Sequence, residues 1–483
     1  MKNLVKNNKH LIGVFIIVIV FIIFKIPHLN LPCFWDEAWA YAPATRMMYN
    51  HGLSLLPDAI PVYCSRGHPV LFYFLGAAWM KLFGTSMAVI HSFALFISIM
   101  LLIMIYFFCK EFFSSTIGLI SVILISVQNF FLAQSCLLLP EILISFWVLI
   151  CIYAYLKKYR FLYIICAAGM LLTKESTIVL IGSLILWSLI KNIFIKKETN
   201  RIKYFFYELF ILIIPVLIAS TYFIIQKIMY NWFFFPEHLN LISFNSTYFF
   251  NTLNSYVSIL FIYQGRIILT AILLLTIILK IFFKFGNKLS ENEKEIFSIF
   301  IIFFVCYLIF SSLNFFSPRY ILCLLPLFII STSYFIYNTF KDKRIFQILS
   351  FIITITVCFY FCTQKILTHD HDLGYLNAVE VHKEAVQYCE KEKIYNKKIL
   401  THFLMRIDLT NPYSGYLSGQ IFNNIVDKMS DDVEFCIFSN MEYSPYFDEI
   451  KKKYDLNLIK KFQKNNAWTE IYQNKNNKDL SIK

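Results

Sequence analysis

The chain has 483 residues, 58% hydrophobic and 15% charged, with 44 Lys and Arg against 30 Asp and Glu. So little polar material cannot cover a soluble protein of this length, and apolar runs near the ~18–20 residues that cross a bilayer recur along it. The surplus of +14 therefore reads as positive-inside loop charge rather than as a nucleic-acid surface. The prediction is an all-α polytopic membrane protein of about eleven transmembrane helices, with interfacial helices in the first outer loop and a small α/β C-terminal domain.

Lys2, Lys6 and Lys9 precede the first apolar run, Leu11 to Phe24. No small-residue cleavage site follows, so it reads as an uncleaved span with the N-terminus inside and Lys25 snorkelling at its outer end. Further spans are expected near 86–108, 114–130, 140–156, 161–173, 176–195, 205–226, 267–283, 296–313, 320–338 and 345–363. This count places every Lys/Arg cluster between spans on one side: Lys110; Lys157, Lys158 and Arg160; Lys191, Lys196, Lys197, Arg201 and Lys203; Lys280, Lys284, Lys288 and Lys294; Lys341, Lys343 and Arg344. The loop at 29–85 is too apolar to be a free linker. It predicts two interfacial helices, Asp36 to Asn50 ended by Gly52 and Pro69 to Phe83 ended by Gly84. Residues 1–363 thus form the membrane domain. Residues 364–483 turn polar, carry 17 basic and 17 acidic residues, and predict an extracytoplasmic domain with a helix at 377–392 and strands at 398–403 and 433–438. Cys33 with Cys64, and Cys389 with Cys436, share an outer compartment where either pair can form a disulfide.

Ionisable groups in or beside spans are costly and therefore point to function. On this topology six groups fall on the outer face. Asp36 and Glu37 follow the first span; they suit a general base or a metal, or simply the first turn of a helix. Arg66 and His68 open the second interfacial helix, where a phosphate fits, although a surface turn explains them too. Glu141 follows Pro140 at a span start and can be a cap alone. Lys174 and Glu175 interrupt apolar sequence on both sides, although a tight outer loop with an internal ion pair explains them too. Glu237 and His238 end the aromatic run Trp232 to Phe235, itself a normal interfacial belt. Arg319 and Tyr320 stand at the mouth of a hydrophobic helix. Acids beside cations at one lipid–water boundary suggest a phosphorylated lipid donor and an acceptor hydroxyl. Metal use is open: Asp36, Glu37, Glu141 and His238 can hold a divalent metal, although spacing gives no metal signature and no cofactor is certain.

The order Asp36-Glu37-Ala38, then Gly67-His68-Pro69-x-Leu71-x-Tyr73, Pro140-Glu141, Leu172-Thr173-Lys174-Glu175 and Pro318-Arg319-Tyr320-x-Leu322-x-x-x-Pro326 resembles the lipid-linked-sugar glycosyltransferases of the GT-C fold. Among these it is most similar to the bacterial protein O-mannosyltransferase and aminoarabinose transferase relatives, over about residues 11–340. The resemblance implies a polyprenyl-phosphate sugar donor in the cell (inner) membrane and an acceptor protein, glycolipid or glycan on the outer side. It further implies transfer with inversion, Asp36 near the reacting hydroxyl, and Lys174 and Arg319 around the donor. The aminoarabinose branch has Lys where this chain has His68, with Arg66 close by, which leaves the phosphate ligand open. A transporter or flippase of a lipid-linked sugar is the alternative. It expects charges near the bilayer midplane and repeat symmetry, and neither is visible.

Overall fold

The computed structural model describes residues 2–195, 200–442 and 445–475; Lys196 and Lys197 lie outside them, as do the side chains of Lys2 and Lys6. All eleven expected spans are helical. Seven described helices are long and apolar enough to cross a bilayer: Lys9–His28, Met87–Phe112, Glu175–Phe194, Arg201–Tyr230, Glu291–Ser312, Pro318–Thr339 and Arg344–Cys362. The chain is a multi-pass membrane protein. Ser246–Phe261 and Arg266–Phe282 are together long and apolar enough as well, but are bent by 84° at a short break, the shape of a broken span or a re-entrant loop. Arg266 fills that break, fully buried, donating to the Ile259 carbonyl and to Gln128 and Gln264.

The remaining expected spans are shorter helices, Ser115–Ser126, Glu141–Leu156 and Arg160–Thr173. At 1.5 Å per residue the shortest rises about 18 Å, well under a hydrocarbon core of ~30 Å. Polar side chains explain why Ser115–Ser126 stops early. The chain breaks at Val127–Gln128 and resumes as the short helix Asn129–Gln134, and the amides of Asn129 and Gln134 donate to carbonyls of Phe361, Gln364 and Asp370 at and beyond the end of the last span. The same broken stretch corrects the expectation for Lys25. It does not snorkel: it is fully buried and donates to the Leu132 carbonyl at 2.8 Å.

The two interfacial helices form where expected. Glu37–Tyr41 is a π-helical turn that runs into Ala42–His51, and Leu71–Phe83 is the second helix; Gly52 and Gly84 follow them at positive φ. Both pack into the main core through residues such as Met48, Phe72 and Met80.

After residue 363 the chain folds back before entering its sheet. The Asp372 carboxylate accepts from the Ile366 and Gly374 amides and from Gln264, pinning this turn to the bend of the helix pair. Beyond Tyr375–Lys391 lie β1 (Ile399–Leu400), β2 (Ile425–Val426), β3 (Phe435–Ser439), β4 (Leu456–Lys464) and β5 (Ala467–Asn474), ordered β2-β1-β3-β5-β4. β1 is parallel to β2 and β3, and β5 is antiparallel to β3 and β4. The strand expected at 398–403 shrinks to two residues because the helix Phe403–Thr410 starts shortly after it. Buried His382 ties this helix to the sheet, 2.6 Å from Asp408 and 2.8 Å from Ser439. All twelve cysteines are free thiols. Neither expected pair is joined: Cys33 and Cys64 are both buried as free thiols in the main core, and Cys389 lies in that core while Cys436 belongs to a smaller cluster with Phe438 and Phe447.

Candidate active site

Segments distant in sequence meet in one cavity of about 1250 Å³. Its walls combine apolar helix faces (Val216, Ala219, Phe223, Ile259) with polar groups from loops: Asp36, Arg66, His68, Lys174, Glu175, His238, Arg319 and Asp370. A lining of this kind suits an amphiphile with a charged end.

Arg319 organises the charged part. It lies in the first turn after Ser317, held by Tyr307 donating to the Tyr320 carbonyl and by the Ser317 amide donating to Tyr256. The residue is only 4% exposed, and its guanidinium meets three carboxylates. One Nη donates to Asp36, the other to Asp370 at 2.5 Å, and Nε to Glu141 at 3.3 Å. Lys174 adds a second cation, 3.4 Å from Glu141 and placed over the Tyr320 ring at 3.7 Å. The fork of donors on one rigid plane explains why an Arg can serve three acceptors at once.

Asp36 also accepts from the Trp39 indole at 2.8 Å. Burial pushes its carboxyl up, but Arg319 and the indole outweigh this and hold it below the ordinary carboxylate value. Asp370 lies on the same guanidinium, yet burial dominates and raises it. The two acids thus differ in readiness to take a proton. Trp35, before Asp36, and Arg66, before Gly67, both have left-handed backbones, at φ +54° and +47°. Such conformations cost about 1–3 kcal/mol each and persist where the surroundings over-determine them.

Glu37 turns away from its neighbour. It is fully buried, accepts from the Phe34 and Leu138 amides at 3.1 and 2.5 Å, and lies 3.1 Å from His91. It therefore fixes the Asp36 turn from behind rather than lining the cavity. Glu141 also stays behind Arg319 and Lys174, and Glu237 sits at the edge, 3.3 Å from Arg66. His68 lies 2.9 Å from Glu175, its carbonyl accepts from Tyr222, and its ring approaches His238 at 4.7 Å between centroids. His238 is pushed down to about 3 by burial and by neighbouring His68 and Arg66. Of the four residues expected as metal ligands, His238 joins a compact donor group with His68 and Glu175, while Glu37 joins a buried one with Cys33 and His91; Asp36 and Glu141 join neither.

Sequence reading missed Asp370, His369 and Phe403, all of which line the cavity. The run His369-Asp370-His371-Asp372 is the one visible signal, an unusual density of titratable groups directly after a span.

No curated protein matches the chain significantly. A family model described as dolichyl-phosphate-mannose-protein mannosyltransferase matches residues 67–219, the stretch from Gly67-His68 through Lys174-Glu175. Among solved structures, ArnT from Cupriavidus metallidurans aligns with a TM-score of 0.59 at 10% identity, over 95% of this chain and 97% of that one, in the apo state and bound to undecaprenyl phosphate. The fold is GT-C. The Archaeoglobus fulgidus oligosaccharyltransferase shares this GT-C architecture with a TM-score of 0.51 at 10% identity, over 90% of this chain and 70% of that one. The mycobacterial arabinofuranosyltransferase AftD aligns at 0.50 and 10% identity, over 96% and 39%. The GT-C fold expected from the motif order is thus present along nearly the whole chain.

Proposed function

We propose that the chain is a membrane glycosyltransferase that moves a sugar, hexose or pentose, from a polyprenyl phosphate to an acceptor hydroxyl, with inversion. The cell (inner) membrane holds it with the N-terminus cytoplasmic, and residues 364–483 form an extracytoplasmic domain that faces the acceptor protein, glycolipid or glycan. The observation that carries this reading is Asp36 hydrogen-bonded to buried Arg319 in the wall of a large amphiphilic cavity. The family model and the structure with undecaprenyl phosphate support a lipid-phosphate donor.

The chemistry follows from the charges. The acceptor oxygen attacks the anomeric carbon, the bond from that carbon to the phosphate oxygen breaks, and the hydroxyl proton passes to Asp36. The electron pair leaves with the phosphate, a stable anion that needs no general acid. Fixed cations where negative charge grows supply the main stabilisation, and Arg319 and Lys174 are placed to do so. Asp36 and the donor share one partner. A phosphate arriving at Arg319 draws the guanidinium off Asp36, which raises the basicity of that carboxylate at the moment it is needed.

The test is transfer of a radiolabelled sugar from undecaprenyl phosphate by the purified chain. Asp36→Asn should lower turnover by about 10²–10⁴-fold, the usual share of a general base. Glu37→Gln should keep far more of the turnover while lowering thermal stability. Equal turnover for Asp36→Asn and parent, or lipid movement without bond cleavage, would falsify the proposal.

A further inference from the structure

Five rings form a continuous strip on the tail side of the cavity wall. Trp39 meets Phe403 at 75°, Phe403 meets Trp35 at 81°, Trp35 meets His369 at 90°, and His369 stacks on His371 at 11°, with centroids 5.8–6.2 Å apart. All five line the cavity. They come from the first loop, from the turn after Arg344–Cys362 and from the start of the helix Phe403–Thr410. Trp35 holds its place with a left-handed backbone, φ +54°, a conformation that tight surroundings must enforce. Asp36 sits within the strip, its carboxylate accepting from the Trp39 indole at 2.8 Å. At the far end His371 is 3% exposed, and its Nδ1 is buried without a hydrogen-bond partner among the described residues. Burial, His369 and Arg266 push His371 down to about 3, so the imidazole is neutral, with one nitrogen to donate and one to accept. Such a buried nitrogen is costly unless a bound group satisfies it.

A sugar ring matches this wall. Its C–H bonds suit the negative faces of aromatic rings, and its hydroxyls suit an imidazole nitrogen. An extended peptide is commonly held by a free strand edge, and none of the described residues lining the cavity lies in a strand. Position separates acceptor from donor. The donor phosphate belongs with Arg319 and Lys174, whereas the hydroxyl that gives its proton to Asp36 belongs to the molecule lying on Trp35, Trp39 and Phe403. We infer that the strip binds a sugar ring of the acceptor, so that the hydroxyl glycosylated is that of a glycan or glycolipid head and not of a Ser or Thr side chain. This rests on the glycosyltransferase reading and narrows its acceptor to carbohydrate.

The experiment uses the purified full chain in a detergent that contains no sugar. Methyl glycosides of hexoses and pentoses, their disaccharides, and Ser/Thr peptides are offered as probes. Binding is read by tryptophan fluorescence and saturation-transfer NMR, and transfer by label from a radiolabelled sugar on undecaprenyl phosphate. Glycosides should bind and take the label, and peptides should do neither. Phe403→Leu should raise the glycoside KM by about 2–10-fold, the worth of one ring contact, with kcat little changed. Phe403→Tyr, which keeps the ring, should hold the parent KM. His371→Leu should weaken glycoside binding by about 2–10-fold, the worth of one hydrogen bond, and His371→Asn should restore part of it. Asp36→Asn should bind glycoside and transfer nothing. Glycoside binding that is the same in the parent, Phe403→Leu and His371→Leu overturns the site. Label on peptides alone also overturns it and leaves the transferase reading standing. Glycoside bound through the strip with no transfer to any acceptor overturns the transferase reading and leaves the site. A KM that rises for the donor and not for the glycoside in Phe403→Leu assigns the strip to the donor sugar and overturns the acceptor assignment.

Discussion

Arg319 and Lys174 face three carboxylates, Asp36, Glu141 and Asp370. Two cations against three anions leave an excess negative charge, and removal of a buried charge from water is expensive. The raised Asp370 is the member that relieves it by binding a proton. As pH falls, Asp370 is neutralised before the lowered Asp36, and its hold on one Nη of Arg319 weakens. A phosphodiester donor carries one charge that does not titrate near neutral pH, so its affinity should rise as pH falls through the raised titration of Asp370. Asp370→Asn should bind the donor more tightly at pH 7 and show a flat profile. Binding titrations across falling pH check it, and a parent profile as flat as that of the variant removes Asp370 as a competitor. Asp370 was not legible in the sequence because it lies 51 positions from Arg319, in a polar run that reads as the start of a tail. Arg319 was legible because a cation at the mouth of an apolar helix is costly to keep there and stands out against its neighbours.

Helix positions were legible wherever apolar length alone decided them, as in Met87–Phe112 and Glu291–Ser312. Ser246–Phe261 escaped notice because Ser, Thr and Asn interrupt its apolar residues, and its partner across the 84° bend held the clearer run. The β4–β5 hairpin escaped for a related reason. β4 carries Lys460, Lys461 and Lys464 on a sheet edge, where charge guards against pairing but blurs the strand pattern. Between these elements, Gly67 makes a testable junction. Gly67→Ala adds a Cβ against Trp232 and Phe235 and retains a left-handed backbone. The expected loss is about 1–3 kcal/mol, with faster proteolysis in the 232–245 loop than elsewhere. Thermal unfolding and mapped limited proteolysis measure both, and an unchanged loop removes Gly67 as the junction.

At the scale of the whole molecule, the tail completes the cavity. Phe403 leads the helix Phe403–Thr410 onto Trp35 and Trp39, with both ring pairs edge to face at 5.9 and 6.1 Å. Asn411 donates to the Ala38 carbonyl, and the Cys33 amide donates to the Ser414 carbonyl. Each aromatic pair contributes about 0.5–1.5 kcal/mol beyond its buried area. Phe403→Ala should therefore lower stability by roughly 1–3 kcal/mol and raise the acceptor KM more than it lowers kcat. Steady-state kinetics decide this, and an unchanged KM separates the tail from acceptor binding. The docking was invisible in sequence because Phe403 and Asn411 are ordinary residues of a small α/β unit, and only the return of 366–374 into the bundle brings them to the first loop.

That return sets an order of events. Asp36 is made early, Arg319 two thirds of the way along, and Asp370 and Phe403 only after the helix Arg344–Cys362. Through most of synthesis the guanidinium lacks its Asp370 partner and the cavity lacks one wall. A chain that stops at Cys362 carries Asp36 and Arg319 but neither Asp370 nor Phe403, so the charged cluster and the cavity wall both close only when the segment after the bundle folds back.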